Sequence, residues 1–162
     1  MSNNINSNNK TSLLVTTALL TALVFICTVL LKIPVGPDCY IHLGDAVVIL
    51  AVLKLPRPYA CFAGAVGATL ADLIGGFAFW APWTFVVKLL MVLTIGIFVD
   101  KSKEYVGLVA GLIVAVLGYF GSEYMLFGSW APAATCIPFN IIQVTVGAVV
   151  AEIISKRIKP LQ

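Results

Sequence analysis

Several polar side chains that could do chemistry lie inside long apolar stretches of this chain. A charged group in a helix that crosses hydrocarbon costs about 2.5 to 3.5 kcal/mol, so such groups are expected to face a protein interior and to pair or bind a ligand. Tyr119 and Glu123 are four positions apart and Asn140 and Gln143 are three apart, so each pair shares one helix face. The candidate ligand-binding residues are Asp72, Lys88, Tyr119, Glu123, Asn140 and Gln143, with Trp83 and Trp130 as aromatic walls that could stack on a flat ring.

Catalytic chemistry finds little support among these residues. His42 is the one histidine of the chain, so neither a histidine metal cluster nor a buried pair of serine and histidine can be assembled. The glycine-rich phosphate loop that ends in Lys-Ser or Lys-Thr is absent from the sequence as well. We therefore expect no enzyme activity, no cofactor and no metal, and the energy to move a solute uphill would have to come from a partner or from an ion gradient.

The elements that must position the candidates are membrane helices. Apolar residues make up 60% of the 162 residues, charged residues make up 10%, and the mean hydropathy is +1.04. These values are typical of an integral membrane protein. The sequence predicts an all-α membrane protein, a single bundle of six transmembrane helices. Five of them span about 12–32, 41–55, 59–74, 105–127 and 134–155, and the fourth follows the segment from Trp80 to Trp83 and ends at Asp100.

The positive charges predict the orientation of this bundle. Basic residues concentrate in alternate loops and at the two ends of the chain, as cytoplasmic segments do. Both termini are therefore expected in the cytoplasm. The chain is expected to consist of a disordered tail over 1–11, a substrate-binding transmembrane bundle over 12–157 and a short tail over 158–162. The net charge of +3 fits contact with anionic lipid heads of the bilayer, and we expect no nucleic-acid partner.

The polar candidates all fall in the outer half of the predicted bundle. The cytoplasmic half contains apolar and small residues until Glu152. This pattern favours a pocket that opens outward and is closed below, and it fits a pore poorly. A purely structural role stays open for individual residues, since Asp72 or Glu123 could pair with Lys88. His42 and Asp45 could be caps of the second helix.

The four cysteines do not require a disulfide framework. Cys27 and Cys61 are expected to be packed thiols. Cys39 and Cys136 are both predicted near the outer surface and could pair, but the sequence leaves this open.

The order and spacing of several motifs resemble one family. These motifs are the run from His42 to Asp45, the run from Ala71 to Gly76, Trp80-Ala81-Pro82, and the run from Pro138 to Gln143. Together with six short helices, they resemble the substrate-binding S components of energy-coupling factor (ECF) vitamin transporters over residues 12–157.

The resemblance implies a mode of action. An S component captures a vitamin or a related micronutrient from outside and docks on a transmembrane coupling subunit with two ATPase subunits. It implies that Ala18 and Ala22, one helical turn apart, contact that partner, although such spacing also serves packing within a bundle. It also implies a site between helices 4, 5 and 6 near the outer surface. The ligand expected first is the thiamine-precursor hydroxymethylpyrimidine, and a vitamin B6 form comes second.

Two other functions stay open at this stage. One is a self-sufficient proton-coupled carrier that uses Asp72, Lys88 and Glu123 as a relay. The other is a membrane subunit that binds no ligand and has only a structural role.

Overall fold

A computed structural model describes residues 2–35 and 40–158, with side chains described from Lys10 onward. These described residues form a helical membrane protein with six helices and one short hairpin, which confirms the predicted fold class. The elements are α1 (Ser2–Leu30), β1 (Lys32–Pro34), β2 (Tyr40–His42), α2 (Gly44–Lys54), α3 (Arg57–Ile74), α4 (Ala81–Val99), α5 (Glu104–Phe127) and α6 (Trp130–Ser155).

Within 2–35 and 40–158, four of these helices are long and apolar enough to cross a membrane. They cover Lys10–Leu30, Ala81–Val99, Glu104–Phe127 and Trp130–Ser155. Helix α2 has only 11 residues, of which 10 are buried, and it packs against α1, α3, α4 and α6. Helix α2 therefore lies in the interior of the bundle, enclosed by α1, α3, α4 and α6.

Several element boundaries differ from the sequence-based expectation. Helix α1 begins at Ser2, so the backbone of residues 2–11 is helical where a disordered tail is predicted. Extension of an existing helix needs no new nucleation, and this lets residues with modest helix propensity join it. Helix α6 begins at Trp130 instead of 134, because the Ser129 side chain caps it by accepting from the Ala131 amide. Of the predicted tail over 158–162, residues 159–162 lie outside the described residues.

A hairpin separates α1 from α2, so the second helix begins at Gly44 and not at about 41 as predicted. Lys32–Pro34 and Tyr40–His42 pair as antiparallel strands, with Ile33 opposite Ile41. Three-residue strands are too short to show the alternation of polar and apolar residues on which sequence prediction depends. The hairpin packs on α1 and α6, so it lies over one end of the bundle.

The basic loops meet at the opposite end. The Lys54 ammonium at the end of α2 donates to the Ile158 carbonyl at 2.6 Å. Arg57, at the start of α3, forms an ion pair with Asp100, which follows α4. These contacts gather the α2–α3 loop, the α4–α5 loop and the end of α6 into one basic end of the molecule.

An apolar core fills the half of the bundle near this basic end. Val48 on α2 and Met91, Val92 and Ile95 on α4 have no exposed surface, and they belong to one cluster of buried apolar residues. Each of the α4 residues lies beyond Lys88 in the direction of the basic end. The interior therefore changes from polar to apolar along the axis of α4.

Candidate functional site

A cavity lies under the hairpin, at the end of the bundle opposite the basic loops. Space open to the centre of a water-sized sphere amounts to about 50 Å³ in it. The hairpin, α1, α3, α4, α5 and α6 all contribute to its wall. The lining residues are Thr28, Tyr40, His42, Ala68, Asp72, Trp80, Thr84, Lys88, Tyr119, Glu123, Cys136, Phe139, Asn140 and Gln143.

Six of the eight predicted ligand-binding residues lie together around this cavity. They are Asp72, Lys88, Tyr119, Glu123, Asn140 and Gln143. Tyr119 and Glu123 share the cavity face of α5, as their four-residue spacing predicts. The two predicted tryptophans do not line the cavity.

Helix α4 presents Trp80 to the cavity instead of Trp83. Trp80 at the start of this helix, Thr84 and Lys88 are each four positions apart, so they form one stripe, and all three line the cavity. Trp83 lies five positions before Lys88, about 140° around the helix from it. Trp80 is buried, and the helical period counted back from Lys88 identifies it.

Trp130 lies on the outside of the bundle, with 54% of its surface exposed. Its ring stacks on Tyr124 with centroids 3.6 Å apart, and on Phe120 at 5.1 Å. The cavity face of α6 instead follows the positions Cys136, Phe139, Asn140 and Gln143. Trp130 is six positions before Cys136, so it points away from that face.

The buried cation of the site is paired with an acid that sequence reasoning left out of the candidate site. Lys88 forms an ion pair with Asp45, and the two side chains are 1% and 0% exposed. Neither Asp72 nor Glu123 makes this pair, and Asp45 does not cap α2, whose first amide, that of Gly44, donates to the His42 ring instead. Asp45 is the second residue of α2, and Lys88 lies in the middle of α4, so the pair joins the central helix to the cavity wall.

Gln143 extends this pair into a hydrogen-bond network. Its Nε2 donates to Asp45 Oδ2 at 2.8 Å, and its Oε1 accepts from the His42 amide at 3.0 Å. Both ends of the Gln143 amide are therefore occupied, which fixes its orientation. The network connects α4, α2, α6 and the hairpin in one chain of polar contacts.

His42 lines the cavity from the hairpin as a neutral ring. Burial lowers the pKa of His42 to about 4, although Asp45 acts in the opposite direction. Its Nδ1 accepts from the Gly44 amide at 3.1 Å. In the neutral ring the proton then resides on Nε2, so His42 can offer a hydrogen-bond donor.

Asp72 supplies acceptor capacity on the other side of the cavity. This residue is 3% exposed. The Tyr40 hydroxyl donates to its Oδ1 at 3.4 Å, and its Oδ2 has no hydrogen-bond partner in the described part of the chain. A buried carboxylate oxygen of this kind favours a ligand that brings a donor.

The cysteines divide into two classes. Cys27 and Cys61 are free and half-buried. Cys136, in the cavity wall, is disulfide-bonded. Cys39 is the fourth cysteine of the chain, and it lies outside the described residues. No group of three or more His, Cys, Asp and Glu side chains within 2–35 and 40–158 is arranged to hold a metal ion.

Comparisons with known proteins agree with this architecture. A protein of Pyrococcus woesei, described as an uncharacterized protein in gap 3′ region, is 33% identical over 149 residues, which are 85% of this chain and 98% of the relative. The solved S component of a bacterial ECF transporter is 21% identical, with a TM-score of 0.78 over 91% of this chain and 95% of that one. This second likeness shows the fold.

The family itself is shown by the sequence match. The model of the family described as ECF-type riboflavin transporter, S component, matches residues 8–160. S components are substrate-binding subunits and not enzymes, and they associate with the coupling subunit and the ATPases of an ECF transporter. This membrane protein with a polar cavity at one end belongs to the family of ECF-type riboflavin transporter S components.

Proposed function

We propose that this S component captures a small one-ring vitamin or vitamin precursor from outside the cell and delivers it through an ECF module. Hydroxymethylpyrimidine is the ligand that we favour first, and a vitamin B6 form is second. The observation that carries the proposal is the cavity itself, because it combines flat aromatic walls with buried carboxylates and amides. A ring with amino and hydroxyl groups matches these partners once water is removed.

The chemistry of the wall supports a donor-rich ring. Asp72, Glu123 and Asn140 offer oxygen acceptors, while His42 offers a donor. Trp80 and Phe139 supply apolar faces on which a flat ring can lie. Amino groups on a pyrimidine would satisfy the carboxylate oxygens, and a hydroxymethyl group both donates and accepts.

Riboflavin is the alternative to a one-ring ligand, because the description of the matched family names it. Its three fused rings and polyol chain are far larger than a pyrimidine. Because the cavity offers a space of about 50 Å³, a one-ring ligand displaces fewer side chains of the wall than riboflavin does. Size therefore favours the smaller ligand in this chain.

Tryptophan fluorescence offers a direct test, since Trp80 lines the cavity and Trp130 does not. Hydroxymethylpyrimidine, pyridoxine and riboflavin would each be titrated into the purified protein, prepared from cells grown without these vitamins. We expect saturable quenching by hydroxymethylpyrimidine, which Trp80→Phe abolishes and the matched control Trp130→Phe retains. Saturation by riboflavin alone would refute the one-ring proposal, and saturation by none of the three would refute vitamin capture of this class.

The orientation that we propose places the basic end in the cytoplasm and the hairpin outside. The clustering of Lys54 and Arg57 with the end of α6 supports it, because cytoplasmic ends collect positive charge. A membrane-impermeant thiol reagent would test this in spheroplasts that carry Lys103→Cys, with the parent protein as the background control. We expect the introduced thiol to stay unlabelled until the membrane is permeabilised; labelling above background in intact spheroplasts would reverse the orientation.

Ala18 and Ala22 support a docking face for the coupling subunit. Both residues are exposed on the outside of α1, so they do not pack within the bundle. They line a shallow apolar groove with Phe25, Phe62 and Val66. Small residues at this spacing let another helix approach closely.

A paired substitution tests this face without touching the cavity. In liposomes with the ECF module, Ala18→Phe with Ala22→Phe is expected to abolish uptake while ligand binding by the isolated subunit stays unchanged. Val109→Phe on α5, also at an exposed apolar position, serves as the matched control. Uptake that survives the double substitution would place the docking face elsewhere.

Two observations disfavour the proton-coupled carrier. Lys88 is neutralised by Asp45, and the buried cluster between Lys88 and the basic end is apolar in the described residues. We therefore expect uptake in liposomes only when the ECF module and ATP are present. Uptake by this chain alone under a proton gradient would favour the carrier.

A further inference from the structure

The cation in the cavity wall is neutralised before any ligand arrives. Lys88 is the lysine of the lining, and its partner Asp45 is fully buried and does not line the cavity. Asp45 uses Oδ1 for Lys88 and Oδ2 for Gln143. Both carboxylate oxygens are therefore committed to the protein, and Asp45 acts on the site through its neighbours.

A second lysine near the hairpin is also engaged. The Lys32 ammonium lies 3.9 Å from the centre of the Tyr40 ring and 3.7 Å from that of Phe77. Two such cation–π contacts hold the charge between aromatic faces, and Lys32 is not a lining residue. Among the described residues of the wall, Asp72 is then a charged group that faces the cavity, with one carboxylate oxygen that no hydrogen bond occupies.

The close approach of α2 and α6 brings Asp45 within reach of Gln143. A Cβ on Gly147 would lie 3.2 Å from Asp45 Cβ and 3.0 Å from the Ala46 amide nitrogen. Because glycine has no Cβ, α6 can approach the first turn of α2, and Gln143, one turn earlier on the same face, reaches Asp45. The backbone packing thus brings the acid, the amide and the lysine into one cluster.

We propose that Asp45 is a specificity-determining residue: by neutralising Lys88 it makes the cavity accept free ring alcohols and reject their phosphate monoesters. The inference rests on the proposed function and adds a charge rule to it. An unpaired lysine in a buried polar cavity would be a strong site for phosphate. With Asp45 in place, a phosphate group meets the Asp72 carboxylate and no unpaired cation in the described part of the wall, and like charges placed together weaken binding strongly.

Matched ligand pairs test this rule. The full chain in nanodiscs of phosphatidylcholine would be titrated with hydroxymethylpyrimidine, pyridoxine or riboflavin and with the phosphate monoester of each. For the pair whose alcohol binds, we expect the ester to bind at least about 100-fold more weakly. In Asp45→Asn, the Lys88 charge is released, and the ratio between ester and alcohol is expected to fall to about 10-fold or less.

Two further variants separate charge from damage to the fold. Asp45→Asn with Lys88→Met removes both charges, so the discrimination against the ester is expected to return even where both affinities decline. Asp100→Asn removes one negative charge at the basic end, far from the cavity, and is expected to leave the ratio as in the parent protein. A ratio that depends on the distant charge would overturn the proposal.

The outcomes distinguish a failure of the charge rule from a failure of the proposed function. If alcohol and ester bind equally to the parent protein, the charge rule is wrong while vitamin capture stands. If Asp45→Asn folds, binds the alcohol and keeps full discrimination, the role of Asp45 is wrong. If no member of any pair binds, the proposed function fails, and the charge rule fails with it.

Discussion

Two ion pairs that join different elements of the described chain differ in burial, and this difference predicts very different energies. Lys88 and Asp45 are 1% and 0% exposed, whereas Arg57 and Asp100 are 38% and 49% exposed. Loss of one partner of a buried pair leaves a charge that neither water nor protein stabilises, which costs about 3 to 5 kcal/mol. Loss of one partner of an exposed pair costs about 0 to 1 kcal/mol.

We therefore expect Lys88→Met to destabilise the protein by about 3 to 5 kcal/mol and Arg57→Met by about 1 kcal/mol or less. For a chain of this size, each kcal/mol lowers the melting temperature by about 2 to 4 °C, so Lys88→Met is expected to melt about 6 to 20 °C lower. Asp45→Asn is expected to cost less than Lys88→Met. The lone Lys88 faces a cavity that can admit water, while a lone Asp45 does not line that cavity.

Thermal unfolding in detergent can be followed with a dye that fluoresces on reaction with thiols, because Cys27 and Cys61 are free and half-buried. The double variant Asp45→Asn with Lys88→Met completes a cycle and is expected to recover most of the loss. Two results would refute the reasoning. One is a loss for Lys88→Met no larger than that for Arg57→Met, and the other is simple additivity in the double variant.

The surroundings of four residues lead to further predictions. His42 is neutral above its pKa of about 4, so ligand affinity is expected to stay level between pH 8 and about 5.5. Affinity is expected to fall as the pH approaches 4, because protonation of His42 breaks the hydrogen bond that its ring accepts from the Gly44 amide. A series of ligand titrations at different pH values measures this. Gly67→Ala is expected to cost about 1 to 3 kcal/mol, since a Cβ there lies 2.7 Å from the Thr21 carbonyl oxygen. Gly121→Ala, with nothing within 4 Å, is expected to stabilise α5 by up to about 1 kcal/mol, and the thiol-reactive melting assay compares the two. Gln143→Leu is expected to weaken ligand binding about 10-fold or more and to loosen the hairpin, which hydrogen exchange at the His42 amide reports.

The sequence could predict the helices because their apolar length and their breakers are local signals. Predicted ends at Ile74, Asp100 and Phe127 agree with the structure to within one residue. The polar residues inside these helices could also be predicted as one group. Exposure of a charged side chain to hydrocarbon costs free energy, so these residues face a shared interior. Their depth along each helix follows from the direction of the chain.

Partner choice could not be predicted in the same way. Asp45, Asp72 and Glu123 all lie at a depth from which they could reach Lys88, and the sequence does not reveal how each helix is rotated about its axis. The rotation of α4 explains why Trp83 was predicted at the site and Trp80 was not. The face of α4 that carries Lys88 presents Trp80 to the cavity and leaves Trp83 outside the lining. Rotation of α6 similarly removes Trp130 from the site.

The shortness of α2 explains why a cavity exists at all and why it opens in one direction. Its 11 residues span about 16 Å, roughly half of a hydrocarbon core of about 30 Å. The longer helices α4, α5 and α6 continue past its first residue, Gly44, and enclose a space that α2 does not fill. Asp45, in the first turn of α2, provides the polar floor of that space through Lys88 and Gln143. Below this floor, Val48 and the rest of α2 pack into the apolar core, so a captured ligand can leave toward the basic end only if the helices move relative to one another or the whole subunit reorients.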